Sequence, residues 1–179
     1  MKLIKPSYEI IPQAPGLDGI YKQIELAGRV CYKSEDKITE NSAKDFADRM
    51  IKSGHGAMLE HGTIYLKVPI NIDEAANFID DNYMWTKYNL VQEKTGNWWA
   101  ITTNYRRIIE CNLEHALKYL CEPTEYHEKR VTVKFNHDIG CGREILRHRA
   151  ASYANESTRY CNYSKDKFGN EITCLIPHF

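Results

Sequence analysis

The chain carries no excess of charge of either sign: 24 Lys and Arg stand against 24 Asp and Glu over 179 residues. Such a balance gives no global field to draw the protein to nucleic acid or to an acidic membrane, so any anion site must come from local clustering. Long apolar runs are also missing, and the most apolar stretches are far too short to cross a bilayer. The N-terminus, Met1-Lys2-Leu3-Ile4-Lys5-Pro6, has neither the apolar core nor the small-residue cleavage site of a signal peptide, which predicts a cytoplasmic protein. No Cys-x-x-Cys pair occurs among the six cysteines at 31, 111, 121, 141, 161 and 174, so a structural zinc site has little support. Without a secretory signal, and with chain enough for a core, these cysteines are not read as a disulfide framework. His137 and Cys141 lie one helical turn apart, but two ligands do not make a metal site. No thiol has a clear activating base, and no catalytic nucleophile is assigned.

What is present fits one domain over 1–179, with ordinary apolar and charged fractions. Leu17, Ile20, Ile24, Ala27 and Cys31 recur at helical spacing. A second helix, capped by Asn41 or Ser42, buries Phe46, Ala47, Met50 and Ile51, and Gly54 ends it. Ile64, Leu66 and Val68 alternate with Thr63, Tyr65 and Lys67 as a half-buried strand, and Val131, Val133 and Phe135 repeat that pattern. The segment 71–128 reads as an insertion-like helical stretch. It holds a short helix at Ala75–Ile79, an aromatic load of Trp85, Trp98 and Trp99, and a longer helix from Asn104 through Leu120 that stops before Pro123. Asp138 is placed to cap a helix through Ile139, Ile145 and Leu146 that delivers Arg147-His148-Arg149 near its C-terminal end. The expected class is α/β (α+β), with a central mixed or antiparallel sheet flanked by helices.

The chemistry concentrates between Arg143 and Tyr160, in REILRHRAASYANESTRY. Arg143, Arg147, Arg149 and Arg159 place four guanidinium groups in a short span around His148. Arginine forks match phosphate oxygens bidentately and stay charged at any physiological pH. Ser152, Asn155, Ser157 and Thr158 add hydroxyl and amide groups suited to phosphate, sugar or base edges, and Tyr153 and Tyr160 offer faces for stacking. A solvated basic helix face is the plain alternative for the arginines alone. The polar, tyrosine-bearing loop beside them points to an anionic aromatic ligand of the nucleotide class.

Arg147-His148-Arg149, seven intervening residues and Ser157 resemble the signature of the flavin-dependent thymidylate synthases, with Ser152 inside the spacer and Arg159-Tyr160 beyond it. Gly54-His55 through Leu59-Glu60-His61, followed by a strand, resembles the family's His-containing segment before its first core strand. Ala27-Gly28-Arg29-Val30-Cys31 is similar to its N-terminal helix exit. The resemblance implies FAD held by His55, Glu60, Arg147, His148, Arg149 and Asn155. It implies dUMP held by Glu144, Arg147, Asn155, Ser157 and Arg159. The implied reaction is reductive methylation of dUMP to dTMP, with methylenetetrahydrofolate as one-carbon donor and NADPH as reductant, in a homotetramer whose active sites form between subunits. The family does not rely on a cysteine nucleophile, and the arginines would favour negative charge developing on the pyrimidine or the reduced flavin.

Two departures stand against that pattern. Ala57 occupies a position where the family often carries a hydroxyl touching the flavin, a hydrogen bond worth ~1 kcal/mol. The family also continues past Tyr160 into helices bearing a further arginine, Asn and His residues, whereas this sequence runs only to Ile176-Pro177-His178-Phe179. A truncated chain, a homologue that binds flavin or nucleotide without turnover, and a site completed by another subunit are the readings this leaves open. The rival from another class is a nucleotide- or single-stranded nucleic-acid-binding module using Tyr153 and Tyr160 among the arginines. Confinement of the basic residues to one patch weighs against it, and a nucleic-acid partner is not expected.

Overall fold

Two short strands open the chain, β1 (Lys2–Ile4) and β2 (Ser7–Ile11), followed by the long helix α1 (Gly16–Tyr32). The computed structural model describes residues 2–70, 75–79, 85–157, 161 and 172–176. Ile20, Ile24 and Ala27 of α1 are buried, as their spacing requires. Helix α2 (Ser42–Lys52) buries Ala43, Phe46, Ala47 and Met50 against it, and Gly54, at φ +70°, turns the chain out of that helix. Asn41 stands at the N-cap without a capping hydrogen bond. The hydroxyl of Ser42 works instead as a tertiary link, accepting from the Thr39 amide (2.9 Å) and donating to Glu25 of α1 (2.8 Å).

One helical turn, α3 (Gly56–Leu59), leads into β3 (Thr63–Pro69), where Ile64, Leu66 and Val68 are fully buried. After α4 (Ala76–Ile79) come β4 (Lys87–Glu93) and β5 (Gly96–Asn104). The sheet order is β3-β5-β4, antiparallel throughout, with Thr63 opposite Asn104 and Tyr88 opposite Ile101. The segment 71–128 thus differs from its helical reading, because its β4–β5 hairpin supplies the central strand of this sheet. The run Trp98-Trp99-Ala100-Ile101-Thr102-Thr103 is covered on both faces, so it shows no alternation, and periodicity cannot separate such a strand from a buried helix.

The long helix expected from Asn104 to Leu120 is also divided. Asn104 does cap α5 (Tyr105–Glu110), accepting from the Arg107 amide at 2.9 Å. The helix stops at Glu110, where Asn112 takes a left-handed φ of 55°, and a 3-10 turn follows over Glu114–Tyr119. Strand β6 (Thr132–Asn136) pairs with β2, and α6 (Ile139–Ile145) carries its expected cap, Asp138 accepting from the Cys141 amide at 2.8 Å. Strand β7 (Thr173–Leu175) runs parallel to β1. The fold is mixed α/β in one domain, with three small sheets among the described residues in place of a single central one. No helix among the described residues is long and apolar enough to cross a membrane.

One core joins Ile20 and Ile24 of α1, Phe46 and Met50 of α2, β3, Ile101 of β5 and Ile108 of α5. Each such side chain stabilises the fold by roughly 1.5–3 kcal/mol relative to exposure. Glycine allows the closest approaches. A Cβ on Gly28 would lie 2.4 Å from the Phe46 ring, and one on Gly62 would lie 2.7 Å from Ile20. The free edge of β3 is covered by the strap 120–130. There the Cys121 amide donates to the Tyr65 carbonyl (3.0 Å), and His127 Nε2 to the Leu66 carbonyl (3.1 Å). The Thr124 amide donates to His127 Nδ1 (3.1 Å), which fixes the neutral Nε2–H tautomer.

The β2–β6 ribbon is amphipathic in the other direction. Its register sets Tyr8 beside Phe135 and Ile10 beside Val133 on one face, while Ser7, Glu9, Lys134 and Asn136 share the opposite one. That apolar face is open, with Tyr8 71% and Phe135 52% exposed and Ile10 and Val131 exposed beside them.

Candidate functional site

The three sequence blocks singled out above meet in space. Gly54 directs the chain from α2 into the single turn α3, and that turn places Glu60 and His61 immediately before β3. From the other side, the polar segment after α6 crosses without regular secondary structure, and Ser152 reaches Glu60. The Ser152 hydroxyl donates to Glu60 Oε2 at 2.5 Å, 92 residues away in sequence. Further along, the Ser157 amide donates to the Cys31 carbonyl at the end of α1 (3.1 Å), and the Cys161 amide to the Ser157 carbonyl (2.9 Å). The segment is therefore tethered at both ends, to Glu60 and to Cys31.

Several groups between those tethers are shifted from their ordinary protonation behaviour. Burial pushes the His61 imidazole below its usual value, against the opposing pull of Glu60 and of the Tyr153 backbone. His61 Nε2 is buried without a hydrogen-bond partner in the structure. Burial raises the Cys31 thiol, with the Asn155 backbone acting against it, which disfavours the thiolate. Burial likewise lifts the Glu156 carboxyl, with Lys33 opposing. The Tyr153 hydroxyl donates to the His148 carbonyl, which folds the start of the segment back on the end of α6.

Glu60 Oε1 accepts from Arg106 Nη1 of α5 (2.7 Å), and Arg106 Nε donates to Glu110 Oε1 (2.7 Å). The sequence reading missed Arg106. The only local signal was its i,i+4 spacing to Glu110, which marks a helix-surface pair and nothing more.

The remaining expected site residues are dispersed. Arg147, His148 and Arg149 follow directly after α6 and are exposed, as are Arg143 and Glu144 within it. Arg147 stands 3.7 Å from Glu144, a loose solvent-facing pair of small energetic weight. His55 is the N-cap residue of α3 and is exposed, bordering a shallow groove of about 480 Å³ with Arg29, Tyr32, Phe46 and Arg49. Asn155 and Ser157 lie on the tethered segment, while Arg159, with Thr158 and Tyr160, lies outside the described residues. Among the described residues no three His, Cys, Asp or Glu side chains converge as a metal site. His137 is occupied by the Asp138 carbonyl, to which its Nδ1 donates at 2.8 Å.

The arrangement brings together a fixed carboxylate and a buried imidazole, with exposed guanidinium groups one loop away. His61 Nε2 is a buried polar atom without a protein partner, and the Arg147 and Arg149 forks are of a type that suits phosphate. Compared with family models, curated proteins and solved structures, the chain finds no match.

Proposed function

We propose that the chain is a homologue of the flavin-dependent thymidylate synthases that binds FAD and dUMP around the Glu60–Ser152 contact and methylates dUMP reductively. One observation carries this reading: residues from the Arg-His-Arg signature, the Gly-His segment and the α1 exit are brought together through Glu60, Ser152, Ser157 and Cys31. Contact between three motif blocks that lie far apart in the sequence supports this reading.

Bound flavin would supply hydride from NADPH, and methylenetetrahydrofolate the carbon, so the protein's share is binding, orientation and charge. Arg147 and Arg149 would neutralise phosphate. Glu60, held by two donors, would present a carboxylate of fixed orientation. His61, neutral at pH 7 because burial disfavours its charged form, would donate or accept at Nε2. The Ser157 amide is spent on the Cys31 carbonyl, and its hydroxyl would meet a nucleotide oxygen. Assembly as a homo-oligomer belongs to the same proposal, supported by the open apolar face of β2–β6.

The test is the visible spectrum of the purified protein titrated with FAD, followed by NADPH-dependent conversion of dUMP with the folate donor. Bound flavin with product supports the synthase, and bound flavin without product identifies a binding homologue that does not turn over. Arg147→Ala and Arg159→Ala should each weaken FAD or dUMP binding with little loss of stability. Unchanged affinity in both sinks the site assignment. Absent flavin binding, combined with DNA affinity that falls steeply with salt, would replace it with the nucleic-acid reading.

A further inference from the structure

We infer that Arg106 is the positioning residue of this site: a side chain from outside every signature block that fixes Glu60 and, through Glu60, docks the Ser152 segment. The inference rests on the flavin and nucleotide reading above and assigns that site a part supplied by the middle of the chain.

The geometry divides the two oxygens of Glu60 between two elements. Oε1 takes Arg106 Nη1 at 2.7 Å, and Oε2 takes the Ser152 hydroxyl at 2.5 Å. A carboxylate held from both sides has one orientation, and its charge is shared with a cation before any ligand arrives. Arg106 is itself held. Its Nε donates to Glu110 Oε1 at 2.7 Å, so one guanidinium serves two carboxylates through different nitrogens. The two carboxylates, Glu110 first, raise the pKa of Arg106, consistent with a cation bound from two sides.

The scaffold beneath is rigid. The Tyr105 amide donates to the Gly62 carbonyl (2.8 Å), Asn104 caps α5, and Tyr105 and Ile108 are buried in the core. Gly56 lets the ion pair lie flat against α3, because a Cβ there would come within 3.0 Å of both Arg106 Nε and Glu110 Oε1. Lysine replaces this arrangement only in part, since an ammonium on a flexible stem keeps the charge but lacks the planar fork that spans two acceptors. The plain alternative is a surface ion pair of little consequence, because Arg106 is 35% exposed. That alternative predicts no communication between Arg106 and Ser152, which share no contact and meet only through Glu60.

The experiment compares the full chain with Arg106→Gln, Arg106→Lys, Ser152→Ala and the Arg106→Gln/Ser152→Ala double variant. Amide hydrogen exchange without ligand is one readout and FAD affinity from the visible spectrum is the other. Loss of Arg106 should speed exchange over residues 151–157 by roughly tenfold, the scale of one charge-assisted hydrogen bond, while the Ile64–Val68 amides keep their protection. FAD binding should weaken by a similar factor in Arg106→Gln and by less in Arg106→Lys. The double variant should be no weaker than the worse single one, since both act on one carboxylate. If Arg106→Gln fails to fold, Gly56→Ala crowds Arg106 Nε and Glu110 Oε1 at 3.0 Å and should speed exchange over 151–157 in the same direction by a smaller factor. Unchanged exchange over 151–157, strictly additive effects on FAD, or a loss of protection spread evenly over α3, α5 and β3 would overturn the inference. If the wild-type chain binds no FAD, the flavin reading falls, and the exchange result alone decides whether Arg106 positions Ser152.

Discussion

Glu25 is the most exacting place to test how the first layer is held. It lies on α1 with 1% of its side chain exposed, and it joins α1 to α2 through a charge. Its Oε1 accepts from Arg29 Nε (3.1 Å) and Nη2 (2.9 Å), its Oε2 from the Ser42 hydroxyl (2.8 Å), and the Arg29 guanidinium sits 4.8 Å from the centre of the Phe46 ring. Replacing Glu25 by Ala leaves that guanidinium packed on an aromatic face without a counter-charge. Stranding one member of a buried pair costs about 3–5 kcal/mol. Arg29 keeps 11% of its side chain exposed and so retains some water, which places the expected loss at the lower end, about 3 kcal/mol. Ser42 adds little, because its hydroxyl can turn to the Thr39 carbonyl at 3.1 Å. With a urea slope of about 2 kcal/mol/M, the midpoint should fall by roughly 1.5 M at unchanged slope. The Glu25→Leu/Arg29→Leu double variant should recover most of that loss, since two apolar groups replace two desolvated charges. A midpoint shift under about 0.5 M for Glu25→Ala, the value of a surface pair, would refute the account.

Acid should weaken the fold through His127 and His61. Burial lowers both pKa values, so below about pH 6.5 the unfolded chain takes protons that the folded one refuses. Stability should hold above that pH, decline as pH falls through it and level off below the folded values; thermal melts against pH check this, and His127→Gln should flatten part of the slope. Gly28→Ala drives a Cβ toward the Phe46 ring at 2.4 Å and should cost about 1–3 kcal/mol by calorimetry, with Gly54→Ala as a control that meets strain but no neighbour. Tyr8→Lys with Phe135→Lys should leave the fold intact and dissociate any oligomer in sedimentation; an unchanged sedimentation coefficient for an oligomeric wild type would remove that face from the interface.

Legibility in the sequence followed the reach of each signal. Helices α1 and α2 and the cap at Asp138 were readable, because periodicity and capping are local. Strand β5 was not: a strand covered on both faces looks like any apolar run, and its identity depends on β3 and β4 beside it. The break at Asn112 hides in a helical pattern because asparagine tolerates a left-handed φ without announcing it. For the candidate site, the resemblance marked Glu60, Ser152 and Ser157, and the structure ties Ser152 to Glu60 and Ser157 to Cys31. It could not mark Arg106, whose partner lies 46 residues away and whose type alone says only that it is a helix cation. Nor could it show that Arg147, His148 and Arg149 fall just beyond α6 in solvent, since one residue of helix length decides their direction.

The pairing of β2 with β6 sets a schedule for the chain as well as a shape. Ser7 and Asn136 are joined across 129 residues, whereas the β4–β5 hairpin closes over a handful. Closing the larger loop costs more entropy, and it becomes favourable only after the sheet and helices between have drawn its ends together. The tethered segment, which follows β6, is therefore expected to settle late and to be released early. Under mild urea the tethered segment should come free while β3 and β5 remain paired, leaving a particle that keeps its core and has lost the candidate site.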